Sequence, residues 1–188
     1  MNIIIIVLSV LVGLVTLLLV VALFIKKEYS IRKEIIISRP LEEVFDYVRY
    51  LRNQDYYSKW VMADPAMKRN FSGQDGTVGF IYAWDGNDKA GKGEQEILHI
   101  DEASRIDIEI RFERPFRSTA RTPITTERIS QNETRVGWGM EGTSKYPFNL
   151  MYLMMAGVLK KDLEISLQNL KNIIEKRKPV STSDRTVE

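Results

Sequence analysis

Residues 105–113 read RIDIEIRFE. Ile106, Ile108, Ile110 and Phe112 alternate with Asp107, Glu109, Arg111 and Glu113. A strand sends successive side chains to opposite faces, so this stretch carries one apolar face and one charged face. That pattern suits an antiparallel sheet with one side on a core and the other in water. A parallel sheet, covered on both faces, would read as a continuous apolar run.

Similar stretches flank it. Residues 67–71 precede the turn Gly73-Gln74-Asp75-Gly76, residues 77–84 precede Asp85-Gly86-Asn87-Asp88, and residues 92–101 precede Glu102-Ala103-Ser104. On the other side, Pro115-Phe116 marks a turn. Residues 118–130 then form a polar strand with Ala120, Thr122, Ile124 and Thr126 on one side. After Gln131-Asn132, residues 134–141 place Val136, Trp138 and Met140 on one face. Short turns between consecutive strands predict a meander of six.

Residues 29–38 are rich in β-branched side chains and predict one earlier strand. Pro40 then suits the first turn of a helix over 40–50, where Leu41, Val44, Phe45 and Val48 recur at helical spacing. A second short helix is expected over 52–60, before Asp64-Pro65 breaks the pattern. The last element is a long helix over 147–177, with Leu159, Leu163, Leu167, Leu170 and Ile174 in one stripe and Pro179 as its stop. Residues 179–188 are polar and are expected to be disordered.

The chain opens differently. Residues 3–25 read IIIIVLSVLVGLVTLLLVVALFI without a charge. As a helix, at ~1.5 Å per residue, this run reaches about 35 Å, enough for a hydrocarbon core of roughly 30 Å. A cleaved signal peptide would have a shorter apolar run and small residues at its exit, whereas Leu23-Phe24-Ile25-Lys26-Lys27 offers large ones. The expectation is a single-pass anchor in the cell membrane. Lys26, Lys27, Arg32 and Lys33 follow the span and no charged side chain precedes it at Met1 or Asn2, so the positive-inside rule puts the downstream domain in the cytoplasm. The same four cations can meet anionic head groups at about 1 kcal/mol each. Residues 1–28 are thus anchor and neck, 29–178 one domain, and 179–188 a tail.

Composition excludes several classes. No cysteine occurs, which removes disulfides, thiolate nucleophiles and thiolate metal sites, and a single histidine removes most zinc arrangements. Neither a metal nor a cofactor is expected. Acids and bases interleave at near-zero net charge without a basic, aromatic-laced patch, so nucleic acid is not an expected partner. Nothing fixes an oligomeric state.

The order strand, two helices, six antiparallel strands, long helix matches the α+β helix-grip architecture, a curved sheet of about seven strands wrapped on a C-terminal helix. Residues 37–48, ISRPLEEVFDYV, resemble the opening of SRPBCC domains (START, Bet v 1-like, polyketide cyclase/dehydrase and related proteins). Trp60 sits where that superfamily often carries a tryptophan after the second helix. The resemblance covers about 30–176 and implies a domain that holds a hydrophobic small molecule, lipid-like or polyketide-like, between sheet and helix. Some members are enzymes, but the superfamily shares no catalytic residues that transfer by position.

Pocket candidates are Trp84, Ile108, Ile110, Phe112, Trp138 and Met140 from the sheet, with Met151, Met154, Met155, Val158 and Leu159 from the helix. The same residues would also serve to pack a solid core. Residues 148–159 are apolar almost all round, too short to span a bilayer, and with the 143–147 loop are expected to form the cavity mouth. Catalytic candidates are sparse. His99 reads as a locally bonded strand residue, and Asp107 and Glu109 as solvated surface. Gly91-Lys92-Gly93 is too short for a phosphate loop and suits a curved strand. For a cyclase or dehydratase, Tyr82, His99, Arg121 and Arg135 are the available proton donors, and strand parity puts Arg135 outside. Three functions stand open: a membrane-anchored binder or carrier of a hydrophobic molecule, a cyclase/dehydratase-like enzyme, and a ligand-free structural or assembly module.

Overall fold

The computed structural model describes residues 2–177, without the side chains of 151–154. The expected disordered tail at 179–188 lies outside the described residues. Element order is α1 (Ile3–Phe24), β1 (Glu28–Ile37), α2 (Leu41–Val48), the 3-10 turn η1 (Leu51–Asn53), α3 (Gln54–Tyr57), α4 (Lys59–Met62), β2 (Lys68–Ser72), β3 (Ile81–Asp85), β4 (Lys92–Asp101), β5 (Arg105–Arg114), β6 (Ser118–Arg121), β7 (Ile124–Ser130), β8 (Glu133–Thr143) and α5 (Asn149–Lys176). Eight antiparallel strands form one sheet in the order β1-β8-β6-β5-β4-β3-β2, with β7 joining β5 to β8.

The eighth strand arises where one long strand was expected at 118–130. Pro123 has no N–H to give the ladder, so the run divides into β6 and β7. Pairing resumes across the break: Thr122 N donates to Ile108 O at 2.8 Å and Gly139 N to Pro123 O at 2.9 Å. The expected 52–60 helix is likewise divided, because Ser58 is extended at φ −72° and ψ 119°. That bend frees Lys59 N to donate to Ser166 Oγ on α5 at 2.9 Å.

Ile31, Ile97, Ile106, Ile108, Ile124, Val136 and Trp138 form the buried inner face of the sheet. Val44, Phe45, Val48 and Tyr57 from the short helices pack on it, as do Leu163, Leu167, Leu170 and Ile174 from α5. The charged face of β5 lies outside, where the Arg111 guanidinium bonds Glu94, Glu96 and Glu109 at 2.7–2.8 Å. α5 runs in the same direction as β1. Lys33 Nζ reaches Glu164 at 3.1 Å, Lys171 Nζ reaches Ile36 O at 2.9 Å, and Ser38 N reaches Glu175 Oε1 at 2.7 Å. At the far end the Arg39 guanidinium donates to the carbonyls of Glu175 and Arg177, where a helix C-terminus favours a cation.

α1 is long and apolar enough to cross a membrane. Its side chains are bare of protein except Ala22, which is buried. There the Asn149 amide donates to Ala22 O at 2.7 Å and Ile25 O at 3.0 Å. Ser144 N adds a bond to Lys27 O at 2.7 Å. Of the four cations expected in a free neck, two are committed to the domain. Lys33 pairs with Glu164, while Arg32 pairs with Glu34 and bonds Thr125.

Candidate functional site

Burial changes along the inner face of β5. Ile106 and Ile108 are fully buried, while Ile110 and Phe112 are only half-buried. Register explains the difference. Ile108 faces Ile97 across the ladder under the packed helices, whereas Phe112 faces Gly93 towards the strand end. A Cβ on Gly93 would lie 2.9 Å from the Trp84 ring, so the indole covers that glycine. Trp84 meets Phe112 edge-on at 6.0 Å and its Nε1 donates to Ala90 O at 3.1 Å. These contacts hold an aromatic wall in place at the open end of the grip.

The other expected pocket residues divide into three groups. Trp138 is buried against Tyr57 and Trp60, with its Nε1 donating to Thr122 Oγ1 at 2.7 Å, and Met140 is buried one inward step further on. Leu159 and its neighbour Ala156 pack on the core. Met155 and Val158, expected to face inward, are instead 43% and 55% exposed. The reason is helical phase: the buried stripe runs through Leu163, Leu167 and Leu170, which brings Ala156 and Leu159 under the sheet and turns Met155 and Val158 out. The side chains of Met151 and Met154 lie outside the described residues.

The polar candidates divide too. His99 and Asp101 form an exposed pair at 3.0 Å, Arg135 binds Glu127 on the outer face, and Arg121 is exposed. Only Tyr82 points inward. It donates to Asp55 Oδ1 at 2.6 Å and accepts from Arg69 Nε at 3.0 Å. Burial, and then the bond to Asp55, push its pKa above the ordinary tyrosine range. The residue is a neutral phenol committed to its neighbours. Asp55 and Arg69 are far from Tyr82 in sequence, and no local pattern announces them. Beside them Gln95 Nε2 donates to Gln54 Oε1 at 3.1 Å, also buried. Among the described residues the Tyr57 hydroxyl and Gln54 Nε2 have no partner.

The surface of the described residues includes two shallow clefts. One of about 450 Å³ follows the β5–β6 hairpin past Phe112, Arg117 and Ser118. The other, about 600 Å³, lies at the opposite end between Tyr47, Asn53, Tyr56, Ile173 and Arg177. Of the first cleft's lining, Phe112 belongs to the inner face of β5, whereas Arg111 and Glu113 belong to its outer, charged face. Among the described residues no group of three or more His, Asp or Glu side chains is placed to hold a metal.

Residues 28–175 match the family described as polyketide cyclase / dehydrase and lipid transport. Among solved structures, norcoclaurine synthase from Thalictrum flavum superposes with a TM-score of 0.63 at 10% identity, over 80% of this chain and 96% of that one. A protein from Mesorhizobium loti gives 0.59 at 14% identity, over 80% and 99%. The protein Ara h 8.0201 gives 0.58 at 14% identity, over 80% and 99%. No curated protein matches the chain. At these identities the structures establish the fold, which is Bet v 1-like, while the family match extends over most of the chain. The chain belongs to the polyketide cyclase / dehydrase and lipid transport family, of SRPBCC type.

Proposed function

We propose that this protein is a membrane-anchored binder or carrier of a hydrophobic small molecule, lipid-like or polyketide-like. Residues 1–28 serve as anchor and neck and 29–178 as the binding domain, on the cytoplasmic side of the cell membrane. The observation that carries this reading is the partial exposure of Ile110, Phe112 and Trp84 beside the fully buried Ile97, Ile106 and Ile108 of the same inner face. Uncovered apolar surface is costly in water, and an apolar ligand that covers about 200 Å² of it gains roughly 5 kcal/mol. Met155 and Val158 offer further apolar surface on α5. The anchor keeps the domain where such ligands partition and raises the local rate of encounter.

A cyclase/dehydratase-like enzyme is the second reading, favoured by one observation, the inward Tyr82–Asp55–Arg69 cluster. Its groups satisfy one another, which suits positioning better than proton transfer to a ligand. The ligand-free module is the least consistent with an apolar face left open.

The test is extraction of the full chain in mild detergent, followed by mass spectrometry of the organic fraction. About one apolar molecule of a restricted class per chain is expected. A chain that carries none, and takes up none from lipid vesicles, overturns the reading.

A further inference from the structure

The strand register places several loops at the end of the sheet where α1 leaves. Glu28, first in β1, pairs with Thr143, and Gly142 pairs with Ala120. The β5–β6 tip at 114–117 therefore runs about 10 Å beyond the level of Glu28, at ~3.3 Å per residue. Lys92 pairs with both Asp85 and Arg114, which brings the β3–β4 loop to the same end. α5 also starts there, held to α1 through Asn149.

These loops present cations and aromatics to solvent. Phe116 is 61% exposed and Phe148 59%. Lys27, Lys89, Arg117 and Lys145 are exposed, and none has an acidic partner among the described residues. The acids of this rim are Asp85 and Glu113, already paired with Arg114 and Lys92, buried Asp64, which takes the Asn87 N–H at 2.8 Å, and exposed Glu28 and Asp88. At the opposite end Arg39, Arg49 and Arg128 pair with Glu43, Glu102 and Glu42, while Arg52 and Arg177 lie over the Phe71 and Tyr47 rings, so what sets the first rim apart is that α1 leaves from it. Unpaired cations with exposed aromatic side chains are suited to an anionic bilayer surface.

We propose that this rim docks on anionic lipid head groups, as a second membrane contact besides α1, and turns the open inner face towards the bilayer. A ligand then passes between membrane and domain without crossing water. The inference rests on the anchored-binder reading above.

The chain has no cysteine, so single-cysteine variants label cleanly. Full-length Phe116→Cys, carrying a polarity-sensitive fluorophore, is reconstituted in phosphatidylcholine vesicles with and without phosphatidylserine. Asn132→Cys, in the β7–β8 turn at the opposite end, is the reference. The label at 116 is expected to report a less polar setting and several-fold stronger quenching by bromolipids than the label at 132. The contrast should grow with phosphatidylserine and shrink in Lys89→Glu/Arg117→Glu/Lys145→Glu. Equal polarity and quenching at 116 and 132 in both vesicles overturns the inference, as does a chain that washes off the vesicles. Bound apolar molecules are counted in the same samples. A ligand-bearing chain with an unquenched label sinks the docking alone, and a quenched label on a ligand-free chain sinks the binding reading alone.

Discussion

The side-chain amide of Asn149 donates to the backbone carbonyl of Ala22 at 2.7 Å. Ala22 O also takes the Ile25 N–H at 3.4 Å, and the shorter bond from Asn149, at the start of α5, holds the end of α1 against the domain. Asn149→Ala is expected to cost about 1–3 kcal/mol, because Ile25 O loses this donor and Ala22 O keeps only the long Ile25 N–H bond at 3.4 Å. Proteolysis in the 25–28 neck should accelerate. Unchanged cleavage and melting would show that the junction is held otherwise.

Gly93 has no room for a side chain. A Cβ there would lie 2.5 Å from Arg111 O and 2.9 Å from the Trp84 ring. Backbone on one side and an aromatic ring on the other leave little to give, so Gly93→Ala is expected to cost about 1–3 kcal/mol and displace Trp84. Thermal melting and tryptophan emission check both effects, and a variant that melts and emits like the parent contradicts them.

Along β5, Ile108→Ala and Ile110→Ala should separate. Ile108 is fully buried, so its truncation is expected to cost about 2–5 kcal/mol. Ile110 is half-buried, and its truncation should cost clearly less in ligand-stripped protein. Denaturant midpoints measure the pair, and equal losses would mean that the inner face is sealed throughout.

The Tyr57 hydroxyl is buried without a partner among the described residues. Tyr57→Phe is expected to leave stability unchanged or to raise it by about 1 kcal/mol. Burial first, and then Tyr47 nearby, push the Tyr57 pKa above the ordinary tyrosine range, and Tyr82 is shifted the same way. A pKa raised on folding means that the folded state holds the proton more tightly. Its contribution is complete below about pH 10, the unfolded value, and is lost as pH rises beyond it. Stability should therefore fall above about pH 10, and less steeply in Tyr57→Phe. Superimposable alkaline melting profiles of variant and parent would contradict this.

Local periodicity carried the fold a long way. The alternation at 105–113 predicts both the buried face with Ile108 and the charged face with Arg111, and residues 3–25 predict α1 from apolarity alone. Two divisions were harder to read. Pro123 sits inside an otherwise regular run, and Ser58 inside a helical one, and each break is stabilised by partners remote in sequence, Gly139 and Ser166. The Asp55–Tyr82–Arg69 cluster and the Asn149–Ala22 bond have the same character: the fold, not spacing, brings them together. Met155 and Val158 were expected inward because their segment is apolar all round, which leaves the phase of the helix undetermined.

Bound apolar molecules, compared between the parent and Phe112→Glu, test the central claim most directly. Phe112 is half-buried near the strand end, so the charge is expected to leave the fold intact, with circular dichroism and melting as controls. Mass spectrometry of organic extracts should find about one hydrophobic molecule per parent chain and at least tenfold less in the variant, as a carboxylate in an apolar site costs more than about 1.4 kcal/mol. Equal loading of parent and variant, or no loading of either, would contradict the account.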